Sequence, residues 1–274
     1  MSQLRIMRPR EWAWPVPPVR REVLTASPAE GDLRPPLLFV PGFGHGAWVY
    51  AEHWLEHAAQ RGFTAHAMSL RGHGGSGAAP KATLRAYAHD VVQVAASLPR
   101  QAVLIGHGAG ALVVEYAMAR YPARAGVLVA PVLGGWGTLA AALLRNPVGT
   151  LPALVGARLR LSRRQLFSRE LPVTVARDYT RRLGRASARA QWQLLVHRAP
   201  EPPVGNPPVL VVGSPDDRVV PLSALHRAAR RHGGAPLLFP GMGHDLMLDA
   251  RWREPIDAIL DWLDQSLADQ IPQL

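Results

Sequence analysis

Cysteine is absent from the 274-residue chain, which excludes disulfides, thiolate metal sites and a cysteine nucleophile. Lysine is almost absent too: Lys81 is the only one, so arginine carries nearly all the basic charge. No uncharged apolar run reaches the roughly 18 residues that would span a bilayer. The stretch Met1 to Arg10 bears arginines, but no apolar core of the kind a signal peptide needs follows it. These absences predict a soluble, cytoplasmic protein with no leader and no membrane anchor. No internal repeat is present, which excludes solenoid and propeller architectures.

What the chain does contain is apolar bulk and unevenly placed positive charge. Hydrophobic residues make up 48% of it, enough for one large α/β domain or a domain with a cap. Of the net charge of +11, most sits in one region: twelve arginines lie between Gly134 and Pro200, against only two acids, Glu170 and Asp178. One reading is a solvated helical face. The other is a basic lid for an anionic substrate, an acidic partner or an anionic membrane surface. Aromatic residues are sparse in this region and no nucleic-acid motif accompanies the charge, which argues against nucleic acid as a partner.

Residues 1–36 are proline-rich and carry Trp12 and Trp14, a composition that suits edge strands or a hairpin. From Leu37 the pattern becomes regular. Leu37-Leu38-Phe39-Val40 is a continuous apolar run stopped by Pro41-Gly42, as a buried parallel strand would be. A helix is predicted over Ala47–Arg61, a strand over Thr64–Ser69, and a glycine-rich loop over Leu70–Gly77. An amphipathic helix over Leu84–Leu98 and a strand over Ala102–Ile105 follow. Next come a helix over Ala109–Tyr121 and a strand over Gly126–Ala130. Residues 134–200 break the rhythm with helical periodicity and read as an arginine-rich helical cap inserted into a core of residues 1–133 and 201–274. Strand and helix alternate again from Val209 to Val212, with a helix over Leu222–His232, a strand over Leu237–Phe239 and a closing helix over Trp252–Leu267. The expected fold is α/β: a mostly parallel central sheet with helices on both faces and a helical cap insertion.

Chemistry-bearing residues gather at predicted strand ends, where such sheets bind ligands. Pro41-Gly42-Phe43-Gly44-His45-Gly46 offers glycines that let backbone N–H groups turn toward a substrate oxygen. Gly106-His107-Gly108-Ala109-Gly110 has the spacing of the G-x-S-x-G nucleophile elbow, a sharp strand-to-helix turn, but carries glycine where that motif has serine. Asp216-Asp217-Arg218-Val219-Val220-Pro221 follows one apolar strand, and Gly243-His244-Asp245 follows the next. The chain order of elbow, acid and histidine, with Arg71-Gly72-His73-Gly74-Gly75-Ser76 upstream, resembles the α/β-hydrolase fold superfamily, in particular its capped esterase and lipase-like members. The resemblance covers about Leu37 to Leu267 and fails only at position 108.

The resemblance implies specific roles. His244 would be the general base. Asp217, or its neighbour Asp216, would orient it. The amides of Phe43 and Ala109 would form the oxyanion hole, and Gly108 would stand at the nucleophile position with no side chain. Gly42, Gly44, His45 and His107 are candidate substrate contacts, although His107 also suits a packing role beneath the elbow. His73 and Ser76 would shape their loop, and Asp245 carries no assigned chemistry. The implied protein is a hydrolase-like enzyme acting on a small or lipid-like ester or related carbonyl compound, an anionic one being favoured by the arginines. No metal or organic cofactor is implied. The alternatives are a non-catalytic ligand-binding homologue, a serine esterase carrying an engineered Ser-to-Gly change, and a cofactor-free lyase or oxygenase using the His–Asp pair.

Overall fold

The computed structural model describes residues 15–29, 34–135, 140, 143–144, 147–154, 161–196 and 198–268. Trp12, Trp14 and the remaining parts of the 134–200 insertion lie outside the described residues. A seven-stranded sheet forms the frame: β1 (Val23–Ala26), β2 (Leu37–Val40), β3 (Ala65–Met68), β4 (Val103–His107), β5 (Ala125–Val129), β6 (Val209–Gly213) and β7 (Leu237–Leu238), in the order β1-β3-β2-β4-β5-β6-β7. Only β1 runs antiparallel, pairing Val23 with Met68 at one edge. The other pairings are parallel, with Leu37 opposite Val103 and Val103 opposite Ala125.

Every residue of β2, β4 and β5 is buried, which is why these strands read as unbroken apolar runs rather than as alternating ones. Alternation persists in the direction each side chain takes. Leu37 and Phe39, with Val103 and Ile105, join the core on one face, while Leu38, Val40 and Leu104 join the core on the other. The second face is covered by α3 (Leu84–Ser97) and α4 (Ala109–Met118). The first is covered by α1 (Trp48–Ala51), α2 (Trp54–Gln60) and α10 (Arg253–Ala268).

The single helix expected over Ala47–Arg61 is broken. Its two halves meet at His53, whose backbone sits at φ −146°, ψ −56°. The break lets Tyr50 and Trp54 both reach Phe39, at ring centroid distances of 4.8 and 6.1 Å. Trp54 is fully buried and donates its indole N–H to the carbonyl of Trp252 at 3.0 Å. Packing of these aromatic rings outweighs the local preference for one continuous helix.

Between β5 and β6 the chain forms α5 (Pro147–Leu154), α6 (Arg163–Leu166), α7 (Val173–Arg182) and α8 (Ala188–Val196), with no strand among the described residues. This insertion packs on the loops at the C-terminal ends of the strands. The amide of Gly184 donates to the carbonyl of Gly44 at 2.6 Å. Arg182 pairs with Glu52 and lies 3.8 Å over the Trp48 ring. After β6 come α9 (Leu222–Arg231), β7, a short 3₁₀ turn (Leu246–Leu248) and α10. Among the described residues no helix is long and apolar enough to cross a membrane.

Candidate active site

Gly108 links β4 to α4 with φ 55° and ψ −124°, a conformation that costs a residue with a side chain about 1–3 kcal/mol. Its amide donates to Val129 and its carbonyl accepts from Val132, so the turn is held from the neighbouring strand as well as by the helix. Small residues allow the close packing: a Cβ on Gly110 would meet the carbonyl oxygen of Pro41. A Cβ on Gly108 would point the other way and lie 3.3 Å from His244 Nε2.

His244 is buried in the loop after β7. Its Nδ1–H donates to Asp217 Oδ2 at 2.8 Å, which leaves Nε2 as the basic nitrogen facing Gly108. Burial disfavours the charged ring, but the charge and hydrogen bond of Asp217, with the charge of Asp245, outweigh it and raise the His244 pKa above its ordinary value. Between the two candidate acids the geometry is unambiguous. Asp217 Oδ1 accepts from the amides of Val219 and Val220 at 2.6 and 3.0 Å, which turns Oδ2 to the histidine. Asp216 instead accepts from the amide of Gly241 at 2.7 Å and ties the two loops together. Among the described residues no hydroxyl hydrogen-bonds to His244 Nε2.

Phe43 follows Gly42, whose Cα lies 3.8 Å from a Cβ placed on Gly108, and Ala109 follows Gly108 itself. Ala109 opens α4, and the first N–H of a helix has no acceptor within it. Among the described residues neither amide has a hydrogen-bond partner. His45 and His107, by contrast, are turned onto protein partners. His45 donates from Nε2 to Asp245 Oδ2 at 3.0 Å and places Nδ1 3.2 Å from the Phe43 carbonyl. His107 is fully buried, with Nε2 3.2 Å from the carbonyl of His244. The sequence suggested that Asp245 caps or salt-bridges near His244 without taking part in the chemistry; its buried carboxylate pairs with His45 and joins the Phe43 loop to the His244 loop. Burial raises its pKa, but His45 and the neighbouring His107 and His244 more than offset this and lower it overall. Asp249 was missed: it accepts from the amides of Gly243 and Ser168, at 2.7 and 2.9 Å, and so binds the His244 loop to the insertion. Asp245 stands next to the glycine-flanked His244, whereas Asp249, five residues further on, has no local signal.

The upstream loop is held by side-chain hydrogen bonds. Arg71 grips Asp90 through two hydrogen bonds of 2.6 Å, both residues being buried. Ser76 Oγ donates to the carbonyl of Ser69 at 2.7 Å and accepts from the amide of Glu22. His107, His244 and Asp245 each offer a donor atom within 4.8 Å of the others. A metal ion there would have to compete with the Asp217–His244 bond and with the contact from His107 to the His244 carbonyl.

Burial pushes the His107 pKa down to about 3 and that of His73 down to about 4. Both rings therefore stay neutral in the folded protein while the unfolded chain takes up protons near pH 6.5. The unfolded state binds more protons between these limits, so stability falls as pH drops below about 6.5. At pH 5 each ring contributes a loss of up to about 2 kcal/mol relative to pH 7; His244, with its raised pKa, works in the opposite sense. Urea unfolding at pH 7 and pH 5 should show a clear drop in midpoint, and the drop should shrink in His73→Phe.

Comparison with known proteins bears on the family and the fold. Residues 37–261 match the alpha/beta hydrolase family. The chain belongs to that family. No curated protein gives a significant sequence match. Among solved structures, this family member is similar to a monoacylglycerol lipase from Paleococcus ferrophilus, at 19% identity and a TM-score of 0.67, covering 91% of this chain and 99% of that one. It is similar to a soluble variant of monoglyceride lipase from Saccharomyces cerevisiae at 13% identity and a TM-score of 0.73, with 90% and 92% of the two chains covered. An esterase from Thermogutta terrifontis aligns at 18% identity and a TM-score of 0.68, covering 90% and 93%. These likenesses establish a shared fold with esterase and lipase neighbours.

Proposed function

We propose that the protein is a serine-independent hydrolase of small or lipid-like esters or related carbonyl compounds, in which His244, oriented by Asp217, activates water. The observation that carries this reading is the place left at Gly108. The direction in which a side chain would project there points at His244 Nε2, 3.3 Å from the Cβ position, and the other ring nitrogen is already committed to Asp217. A water in that space can give a proton to Nε2 as its oxygen adds to the carbonyl carbon. The amides of Phe43 and Ala109 receive the developing negative charge, where such donors commonly contribute several kcal/mol. Collapse breaks the ester C–O bond, and the proton passes from Nε2 to the leaving alkoxide, giving acid and alcohol. A positioned base contributes roughly 10²–10⁴-fold in such steps.

Gly42 and Gly44 line the approach to this oxyanion hole as backbone contacts for substrate, while His45 and His107 support the loops from behind. The insertion over residues 134–200 acts as the cap and sets the substrate, with its arginines favouring anionic groups. The lipase and esterase neighbours support an ester substrate, and the two proteins named for monoglycerides support a lipid-like one.

The test is an assay on activated short-chain esters with the protein as it is. Turnover should proceed without a pre-steady-state burst, and a fluorophosphonate should leave no covalent adduct. An adduct on any serine of the active protein would sink the serine-independent mechanism.

A further inference from the structure

Three arginines of the insertion, with Arg218 beyond it, line one cleft. Most arginines elsewhere that hold an ion pair do so with a definite carboxylate: Arg34 with Asp264, Arg61 with Asp257, Arg71 with Asp90, Arg251 with Glu254. Arg163, Arg164, Arg169 and Arg218 have no such partner among the described residues. All four line one cleft of 510 Å³, formed where α6 and the segment after it face the loops that follow β6 and β7. Met242 and Phe167, both buried, form its apolar base. Two acids share the wall, Glu170 and Asp216, so two positive charges remain in excess. Asp216 is partly spent, since one of its oxygens already accepts from the amide of Gly241.

We infer that this cleft is a binding site for a small polyanion carrying phosphate or carboxylate groups, distinct from the ester site proposed above. Four guanidinium groups facing only two carboxylates keep a net mutual repulsion, which is relieved when an anion enters. Arginine suits this role because its planar fork donates two parallel hydrogen bonds to a phosphate or carboxylate. The volume admits a ligand of metabolite size. The cleft is walled by the backs of the loops carrying Asp217 and His244 but includes neither side chain. Occupancy therefore does not require the ester chemistry, and the two proposals can fail separately.

Isothermal titration of the full chain with pyrophosphate and with citrate, at low ionic strength, tests the site. Saturable one-to-one binding is expected, weakening as salt rises because the contacts are partly exposed. The double variant Arg163→Gln/Arg218→Gln should lower affinity by roughly tenfold or more, since each lost charge-assisted bond matters. Arg177→Gln/Arg181→Gln removes the same charge from exposed positions on α7, outside the cleft, and should stay within about twofold of the parent. The single variant Arg169→Gln serves as a second probe should the double variant fold poorly, with matching circular dichroism as the check. Tighter binding of pyrophosphate than citrate marks a phosphate ligand, and the reverse order marks a polycarboxylate; either supports the site. Absence of saturable binding by both anions overturns it. So does an equal loss in the α7 variant, which would mean diffuse charge alone. Vesicles containing phosphatidic acid that bind through Arg163 and Arg218 while pyrophosphate does not would replace the free ligand by a lipid surface.

Discussion

Gly108→Ser is expected to turn the protein into a serine hydrolase that a fluorophosphonate labels at residue 108 and that shows a burst with activated esters. The backbone at 108 already has the strained turn, φ 55° and ψ −124°. The new Cβ would lie 3.3 Å from His244 Nε2, so a hydroxyl one bond further is delivered to a base already paired with Asp217. That Cβ contact is tight, and the ring must yield by a few tenths of an ångström. Loss of a triad nucleophile costs about 10⁶-fold in a well-evolved enzyme; a site not selected for serine should recover less, with a rise in kcat of at least about 10²-fold. The gain comes with a stability loss of about 1–3 kcal/mol, because serine lacks glycine's freedom at positive φ. Thermal unfolding and labelling measured on the same sample would show both effects. A folded variant that is neither labelled nor faster would contradict the geometry assigned to His244.

The second large effect is expected at His244. His244→Ala should reduce kcat/KM on esters by about 10²–10⁴-fold, the range of a positioned general base. The base must be neutral to accept a proton, and its pKa is raised chiefly because Asp217 and Asp245 overcome the opposing effect of burial. Activity should therefore rise with pH through a midpoint above 6.5. In Asp217→Asn the carboxylate charge and the bond to Nδ1 are lost while burial remains, so the midpoint should move down as the rate falls. A merely structural role for Asp217 would lower the rate without moving that midpoint. Unchanged turnover in His244→Ala would remove the general-base mechanism altogether.

How much of this can be read without coordinates depends on the distance over which each feature is determined. The strand Leu37–Val40 matches the sequence expectation to the residue, and α3 ends one residue short of the expected Leu98. Both rest on local patterns: an apolar run stopped by Pro41-Gly42, and a helix capped by Thr83, whose side chain accepts from the amide of Ala86. The break at His53 was not readable, because it is imposed by Phe39 and Trp252 rather than by any local breaker. The proline-rich N-terminal region, for which edge strands were expected, supplies the antiparallel edge strand β1, starting at Val23.

By itself the sequence determined the order of elbow, acid and histidine along the chain, the parallel sheet that presents them, and the glycine at 108. Those follow from continuous apolar runs, helical periodicity and turn residues, which act over a few positions. The sequence favoured Asp217, which directly precedes Arg218-Val219-Val220-Pro221, over Asp216, and tertiary structure brought Asp217 to His244 across 27 residues of chain. Tertiary structure alone brought His45 to Asp245, 200 residues apart, and gathered around one cleft four arginines that have no ion-pair partner among the described residues. Such choices turn on which side chain a carboxylate faces once the backbone amides beside it are satisfied, and no local pattern records where a distant loop will come to rest.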